Sequence, residues 1–391
     1  MMKIEKTLDG RPGPHDLRKT FRILAEDSET KARKGLLETA HGEVETPCFM
    51  PCGTQGTVKA VSSEELESIG VQILLANAYH LYLRPGEEVF ETIGTLHDFM
   101  NWEGAILTDS GGFQSFSLAQ IRKITDEGLF FQSHIDGSKQ FLTPEGIVQF
   151  QMLLGSDMTM VLDECVGYPS GKEKTEEAMN RTLEWAERSK KEFQTRQTSF
   201  GQLLFGIVQG GIYADLRKES CERLVAIEFD GYAIGGMGVG EPKEFFKEIV
   251  PVCTEGLPSD KPRYLMGIGT PQDILEGIAS GVDFFDCVLP TRNGRNGQAF
   301  TSYGTLNLKN ASCAKDPDPI EDGCSCSACG GYSRAYLHHL LKAKEILGSK
   351  LVTLHNLSFY LRLMRESREA IQKQQFEVFK ERTIQRLRST S

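Results

Sequence analysis

Long apolar runs are absent from this chain. No stretch of its 391 residues approaches the roughly 20 consecutive apolar residues that cross a bilayer. Met1 to Asp16 is polar and holds no apolar segment of signal-peptide type, so a cytoplasmic protein with no membrane contact is expected. Positive charge is in short supply too. With 44 Lys and Arg against 54 Asp and Glu, the net charge is −10, which argues against a protein that coats nucleic acid non-specifically. It leaves room for a local basic patch that grips one RNA. Internal repeats and low-complexity tracts are missing, so the chain is not read as a solenoid or a linker. Cysteine is not scarce. Ten of them in a chain this long, without a secretion signal, read as thiols and metal ligands rather than a disulfide frame.

What is present is a regular alternation. Short apolar runs at Thr46–Pro51, Ile73–Asn77, Ala105–Asp109, Met158–Asp163, Leu203–Val208, Tyr232–Gly235, Arg263–Gly267 and Phe284–Cys287 read as buried strands. Helical patterns separate several of them, at Thr175–Phe193, Tyr213–Glu228, Pro242–Val252 and Pro271–Ser280. Eight such strands with helices between them fit an α/β fold of the (β/α)8 TIM-barrel type better than an open sheet. Between residues 112 and 157, Leu129–Ile135 and Gln140–Thr143 flank Asp136-Gly137, a strong hairpin signal. A β-hairpin insertion is expected there, on the active-site side. Residues 1–20 read as an N-terminal extension, 21–306 as the catalytic barrel, and 307–391 as a zinc-binding subdomain with C-terminal helices completing the barrel.

The informative positions are where apolar runs stop: Asn77, Asp109, Asp163 with Glu164, Gln209, Gly235-Gly236, Met266-Gly267 and Asp286. In a barrel these converge on one rim. Phe284–Gly297 is central: an apolar run delivers Asp286, Pro290 stops it, and Arg292 and Arg295 follow in what reads as a flexible cationic loop suited to phosphates. Two aspartates at one mouth can divide labour as nucleophile and general acid/base. In Thr108–Gln114, a carboxylate is followed by glycines that let a planar ligand approach, with Phe113 as a stacking face. Asp163 could accept the two parallel N–H groups of guanine, while Gln209 and a backbone N–H near Gly236 donate to O6. Adenine would leave Asp163 facing an acceptor.

Cys324-x-Cys326-x2-Cys329 sets three thiolates in one tight loop, as tetrahedral zinc requires. His338, His339 and His355 are each candidates for the fourth ligand. Lys and Arg are dense from Lys342 to Arg388, which also describes the solvated face of a helix.

Together these motifs resemble the bacterial tRNA-guanine transglycosylases, also called queuine tRNA-ribosyltransferases. The matching pieces are Thr108–Gln114, Val161–Cys165, Gly206–Gly210, Gly231–Glu241, Tyr264–Gly267, Phe285–Phe300 and the cysteine cluster, covering nearly the whole chain from about residue 20. The resemblance implies exchange of guanine at the anticodon wobble position of G-U-N tRNAs (Asp, Asn, His and Tyr) for 7-aminomethyl-7-deazaguanine (preQ1), in queuosine biosynthesis. It implies Asp286 as nucleophile and Asp109 as general acid/base. Ser110, Gly111, Gly112, Phe113, Gln114, Asp163, Gln209, Gly235, Gly236 and Met266 would form the base site. Gly267, Ile268, Gly269, Thr270, Pro271, Gln272 and Asp273, with Thr291, Arg292, Asn293, Gly294 and Arg295, would grip RNA. One structural Zn2+ per chain would sit on Cys324, Cys326, Cys329 and His355, and the protein would be a homodimer.

The sequence departs from the family pattern in places. Ala76-Asn77-Ala78 stands where Gly-Asn-Thr is common, and Phe113 replaces a tyrosine found in some members. Cys165 and Val239 match the bacterial pattern, which favours preQ1 over queuine. The chain ends without the RNA-binding domain of archaeal members, which favours the wobble position. Two rival readings are a non-catalytic partner subunit, which would be expected to lose one aspartate of the pair, and a barrel glycosidase, which would not explain the zinc cluster.

Overall fold

A computed structural model describes residues 20–114, 122–196 and 201–388, so the extension expected at 1–20 lies, apart from Thr20, outside the described residues. Three antiparallel strands come first: β1 (Phe21–Glu26), β2 (Arg33–Thr39) and β3 (Gly42–Thr46). The barrel strands are β4 (Cys48–Met50), β5 (Ile73–Asn77), β6 (Ala105–Asp109), β10 (Met158–Met160), β11 (Leu203–Val208), β12 (Gly231–Ile234), β13 (Arg263–Leu265) and β14 (Phe284–Asp286). Inserted after β6 are β7 (Arg122–Thr125), β8 (Gly128–Gln132) and β9 (Lys139–Leu142), and β15 (Gln298–Thr301) pairs with β16 (Gly304–Asn307) further on.

The eight barrel strands are parallel and follow one another round the sheet in chain order. The ring closes between β4 and β5, where Leu75 N–H donates to Pro51 O at 3.0 Å and Gly53 N–H to Leu75 O at 2.6 Å. A (β/α)8 barrel is therefore what the eight apolar runs build. The runs read so clearly because the strands are buried on both faces, as in all six residues of β11. The helices fall close to their expected spans, at Lys172–Thr195, Ala214–Ile227, Lys243–Gly256 and Pro271–Ala279. The Asp136-Gly137 hairpin is present as β8–β9, and β7 adds a third strand that the sequence reading did not include.

The β1–β3 sheet lies at the N-terminal end of the barrel. Arg33 there donates to Asp283, just before β14, from Nε at 3.0 Å and Nη2 at 2.5 Å, with both side chains buried. Asp157, just before β10, accepts from His41 Nδ1 at 2.8 Å and from the Ile106 N–H at 2.9 Å. These contacts tie the β1–β3 sheet to the N-terminal end of the barrel, away from the other rim. Among the described residues no helix is long and apolar enough to cross a membrane.

One expectation needs correcting. The segment after Asp286 is not a flexible loop: Leu289–Arg295 is a short helix with Pro290 in its first turn, where proline fits. It packs on the long helix Ile346–Gln372 so tightly that a Cβ on Gly294 would lie 2.8 Å from Thr353 Cα. Asn356 of that helix donates to Pro290 O and Gln298 O, both at 2.9 Å. Tertiary packing overrides the turn-like Arg-Asn-Gly-Arg composition.

Candidate active site

Because all eight strands point the same way, their C-terminal ends share one rim. Asp109 ends β6, Gln209 follows β11, Gly235 and Gly236 follow β12, Met266 follows β13, and Asp286 ends β14. Asp163 lies three residues beyond β10, in a segment where Val161 N–H still bonds Phe205 O.

Asp286 stands partly buried at this mouth. Its Oδ1 accepts from Tyr264 Oη and from the Gly267 N–H, both at 2.7 Å. Among the described residues its Oδ2 meets the Cys52 thiol alone, Sγ at 3.6 Å. Burial pushes the carboxyl above its ordinary range, and these three donors pull the other way. With Oδ1 doubly tied and Oδ2 held by a weak donor, Oδ2 is the oxygen whose lone pairs remain available to a reacting carbon.

Asp109 is buried and accepts from Asn77 Nδ2 at 2.9 Å. Burial, then the charges of Asp163 and Asp286, push it up to about 7, against the Gly111 and Ser110 N–H groups. A carboxyl that titrates near neutrality can both give and take a proton at working pH. The sign for stability follows. The folded-state pKa lies above the ordinary 3.8, so ionising Asp109 costs folding energy, and its contribution is lost as pH rises through about 7. Asp109→Asn is expected to raise the melting temperature by several degrees at pH 8 and by little at pH 5. An equal change at both pH values, measured by calorimetry, would contradict this.

Asp163 is buried as well and accepts from Gln209 Nε2 at 2.6 Å. Burial pushes it up to about 6, with Glu164 adding to the rise and the Gln209 hydrogen bond opposing it. Glycine is required opposite: a Cβ on Gly112 would sit 2.2 Å from Asp163 Oδ1. The sequence reading aims the Gln209 amide at a base, whereas in the structure it is turned onto Asp163, since a buried carboxylate takes the nearest donor. Gly236 has φ +65°, and a Cβ there would lie 2.5 Å from Gln209 Oε1. Phe113 is 45% exposed, and Met266 is half-buried. Ser110 Oγ and Gln114 Oε1 are buried with no hydrogen-bond partner among the described residues.

The two segments read as RNA-facing are placed as follows. Gly267 is exposed but spends its N–H on Asp286; Ile268, Gly269 and Pro271 are buried, and Thr270 Oγ caps the helix at the Asp273 N–H, 3.2 Å away. Gln272 is half-buried. In the other segment Thr291 and Gly294 are buried, Asn293 Nδ2 bonds Gln298 Oε1 at 2.8 Å, Arg292 is exposed and Arg295 is half-buried.

The metal cluster is assembled. His355 Nδ1 lies 3.8, 3.5 and 3.3 Å from the sulfurs of Cys324, Cys326 and Cys329. Zn–S and Zn–N bonds of about 2.3 and 2.0 Å at a tetrahedral angle require about 3.5 Å between S and N. The donor set fits zinc. His355 Nε2 bonds Phe300 O at 2.7 Å, which leaves Nδ1 as the ligand atom. The histidine left open by spacing is thereby resolved, since His338 Nδ1 is engaged with Leu308 O at 2.9 Å and His339 is exposed outside the cluster.

The chain matches the family described as queuine tRNA-ribosyltransferase over residues 27–389. It belongs to that family. It is 54% identical to the queuine tRNA-ribosyltransferase of Caldanaerobacter subterraneus subsp. tengcongensis over 366 residues, 94% of this chain and 97% of the relative. To the protein of the same name from Thermoanaerobacter sp. (strain X514) it is 55% identical over 360 residues, 92% and 95% of the two chains. As a queuine tRNA-ribosyltransferase family member it carries several residues round the mouth to which the motifs assigned no role. Tyr264 and Cys52 hold Asp286, and only the position of Cys52 just past β4 hints at that role. Asn77 stands in the segment that departs from the family pattern, yet its side chain reaches Asp109. Glu241 accepts the Gly238 and Val239 N–H groups, at 2.5 and 2.9 Å, and so braces the turn after Gly236.

Proposed function

We propose that this queuine tRNA-ribosyltransferase family member exchanges guanine at the anticodon wobble position of G-U-N tRNAs for preQ1, by two displacements at C1′ of the ribose. The observation that carries the reading is the pairing of two unlike carboxylates on one rim: Asp286 fixed through one oxygen, and Asp109 poised to titrate near neutrality. In the first displacement Asp286 Oδ2 attacks C1′ as the bond to guanine breaks, and Asp109 gives its proton to the departing base. In the second, Asp109 takes a proton from the incoming base, whose nitrogen attacks C1′ and releases the Asp286 carboxylate. Charge and proton balance across the cycle, so no nucleotide or redox cofactor is required.

Asp163 would accept the N1–H and exocyclic amine of the flipped base, and the Gly236 N–H would donate to O6, with Phe113 and Met266 on the ring faces. Arg292 and Arg295 would meet the neighbouring phosphates from the rigid helix they share. Cys324, Cys326, Cys329 and His355 would hold one structural zinc per chain, which cross-links the 324–329 loop to the long helix. A homodimer in the cytoplasm, with a catalytic unit at 21–306 and a zinc-binding unit at 307–391, completes the reading. Retention of both aspartates favours it over a non-catalytic partner subunit.

The test is incorporation of labelled guanine into an unmodified tRNA with a G-U-C anticodon, beside a wobble-substituted control. Incorporation that requires wobble G and is suppressed by preQ1 is expected. Equal incorporation into the control would overturn the wobble assignment.

A further inference from the structure

Arg217 is a buried cation near the mouth whose burial the proposed chemistry leaves unexplained. It projects from the helix Ala214–Ile227 and is 0% exposed. Among the described residues no carboxylate pairs with it. Instead its guanidinium meets five acceptors: Nε reaches Gly211 O at 2.8 Å, and Nη1 reaches Val208 O at 2.9 Å and Gly235 O at 2.8 Å. Nη2 reaches Gly236 O at 3.5 Å and Met237 Sδ at 3.7 Å. A guanidinium has five N–H donors, and each has a partner here.

A buried charge is tolerated when every donor is satisfied, but this arrangement does more than satisfy itself. The acceptors come from two turns, the one after β11 that carries Gln209 and the one after β12 that carries Gly236. In a planar trans peptide the carbonyl and the following N–H point in opposite directions. Holding Gly235 O against the guanidinium therefore turns the Gly236 N–H away from it. Holding Val208 O likewise fixes its own peptide, whose Gln209 N–H bonds Ser220 Oγ at 3.2 Å. The fit is close on all sides. A Cβ on Gly210 would lie 2.9 Å from Arg217 N, and one on Gly236 would lie 3.5 Å from Nη2. The cation also polarises both peptide groups, which strengthens their N–H groups as donors.

We propose that Arg217 is the positioning residue for base specificity: it fixes the peptide whose N–H reads the six-position oxygen of guanine and ties that peptide to the turn bearing Gln209. The inference rests on the base-exchange reading above. It predicts a split between the two substrates, because the clamp faces the base and not the RNA chain. Arg217→Lys keeps the charge but has three donors in place of five and no planar fork. In a steady-state exchange assay it is expected to raise the KM for guanine by about tenfold or more, leaving the KM for tRNA within about twofold. An unchanged KM for guanine in the folded variant overturns the inference. So does a parallel rise in both KM values with a lowered melting temperature, which marks a merely structural role. Should Arg217→Lys not fold, Met237→Leu removes one acceptor at nearly constant volume. It is expected to raise the KM for guanine by about two- to fourfold and to leave that for tRNA unchanged; no change in the KM for guanine contradicts the proposal. Failure of the wild-type protein to exchange guanine at all would instead reject the base-exchange reading.

Discussion

Asp286→Asn is expected to lower guanine exchange by at least about 10^4-fold while leaving a folded, zinc-loaded protein. The side-chain amide has nearly the shape of the carboxylate, and its oxygen can still accept from Tyr264 Oη and the Gly267 N–H, so the turn that these contacts fix should survive. What the variant lacks is an anionic oxygen at the Oδ2 position, and with it the means to displace the base. Burial already pushes the wild-type carboxyl upward, so removing its charge relieves a cost and the melting temperature should not fall. Exchange assay and calorimetry together check this. Undiminished turnover would reject Asp286 as nucleophile, and loss of fold would show that its hydrogen bonds matter more to structure than to chemistry.

Cys326→Ala is expected to lose zinc and to lower the melting temperature by about 10 °C or more. The reason lies in what the cluster holds. The local core round it is small, built from residues such as Ala299, Leu308, Ile320, Leu337 and Leu351. His355 stands in the middle of the helix Ile346–Gln372, whose Asn356 bonds Pro290 O and whose Tyr360 Oη donates to Gly269 O at 2.5 Å. A zinc ion held there would pin the helix on which the Leu289–Arg295 helix rests, and exchange should fall along with metal content. Metal analysis and thermal denaturation decide the matter. A variant that retains stability and activity without zinc would contradict the structural role.

The barrel was legible because its strands are short buried apolar runs, and its mouth because most of the runs stop at or beside a polar or glycine residue. The Asp136-Gly137 hairpin was legible for a different reason, since a two-residue turn announces itself locally. Three features were not legible, and each depends on contacts far apart in the chain. The Leu289–Arg295 helix owes its form to Thr353 and Asn356, about sixty residues later. The Gln209 amide is turned by Asp163, and the Arg217 clamp joins two turns that only the closed sheet brings together. The cysteine spacing announced a metal, but choosing among His338, His339 and His355 required the resemblance or the fold.

The most direct measurement is to mix the protein with a G-U-C-anticodon tRNA, denature it in acid, separate protein–RNA adducts on a denaturing gel, and map the linked peptide by mass spectrometry. An adduct on Asp286, absent from Asp286→Asn, is the predicted result. An adduct mapped to Asp109 or Asp163, or guanine exchange without any trapped adduct, would contradict the account.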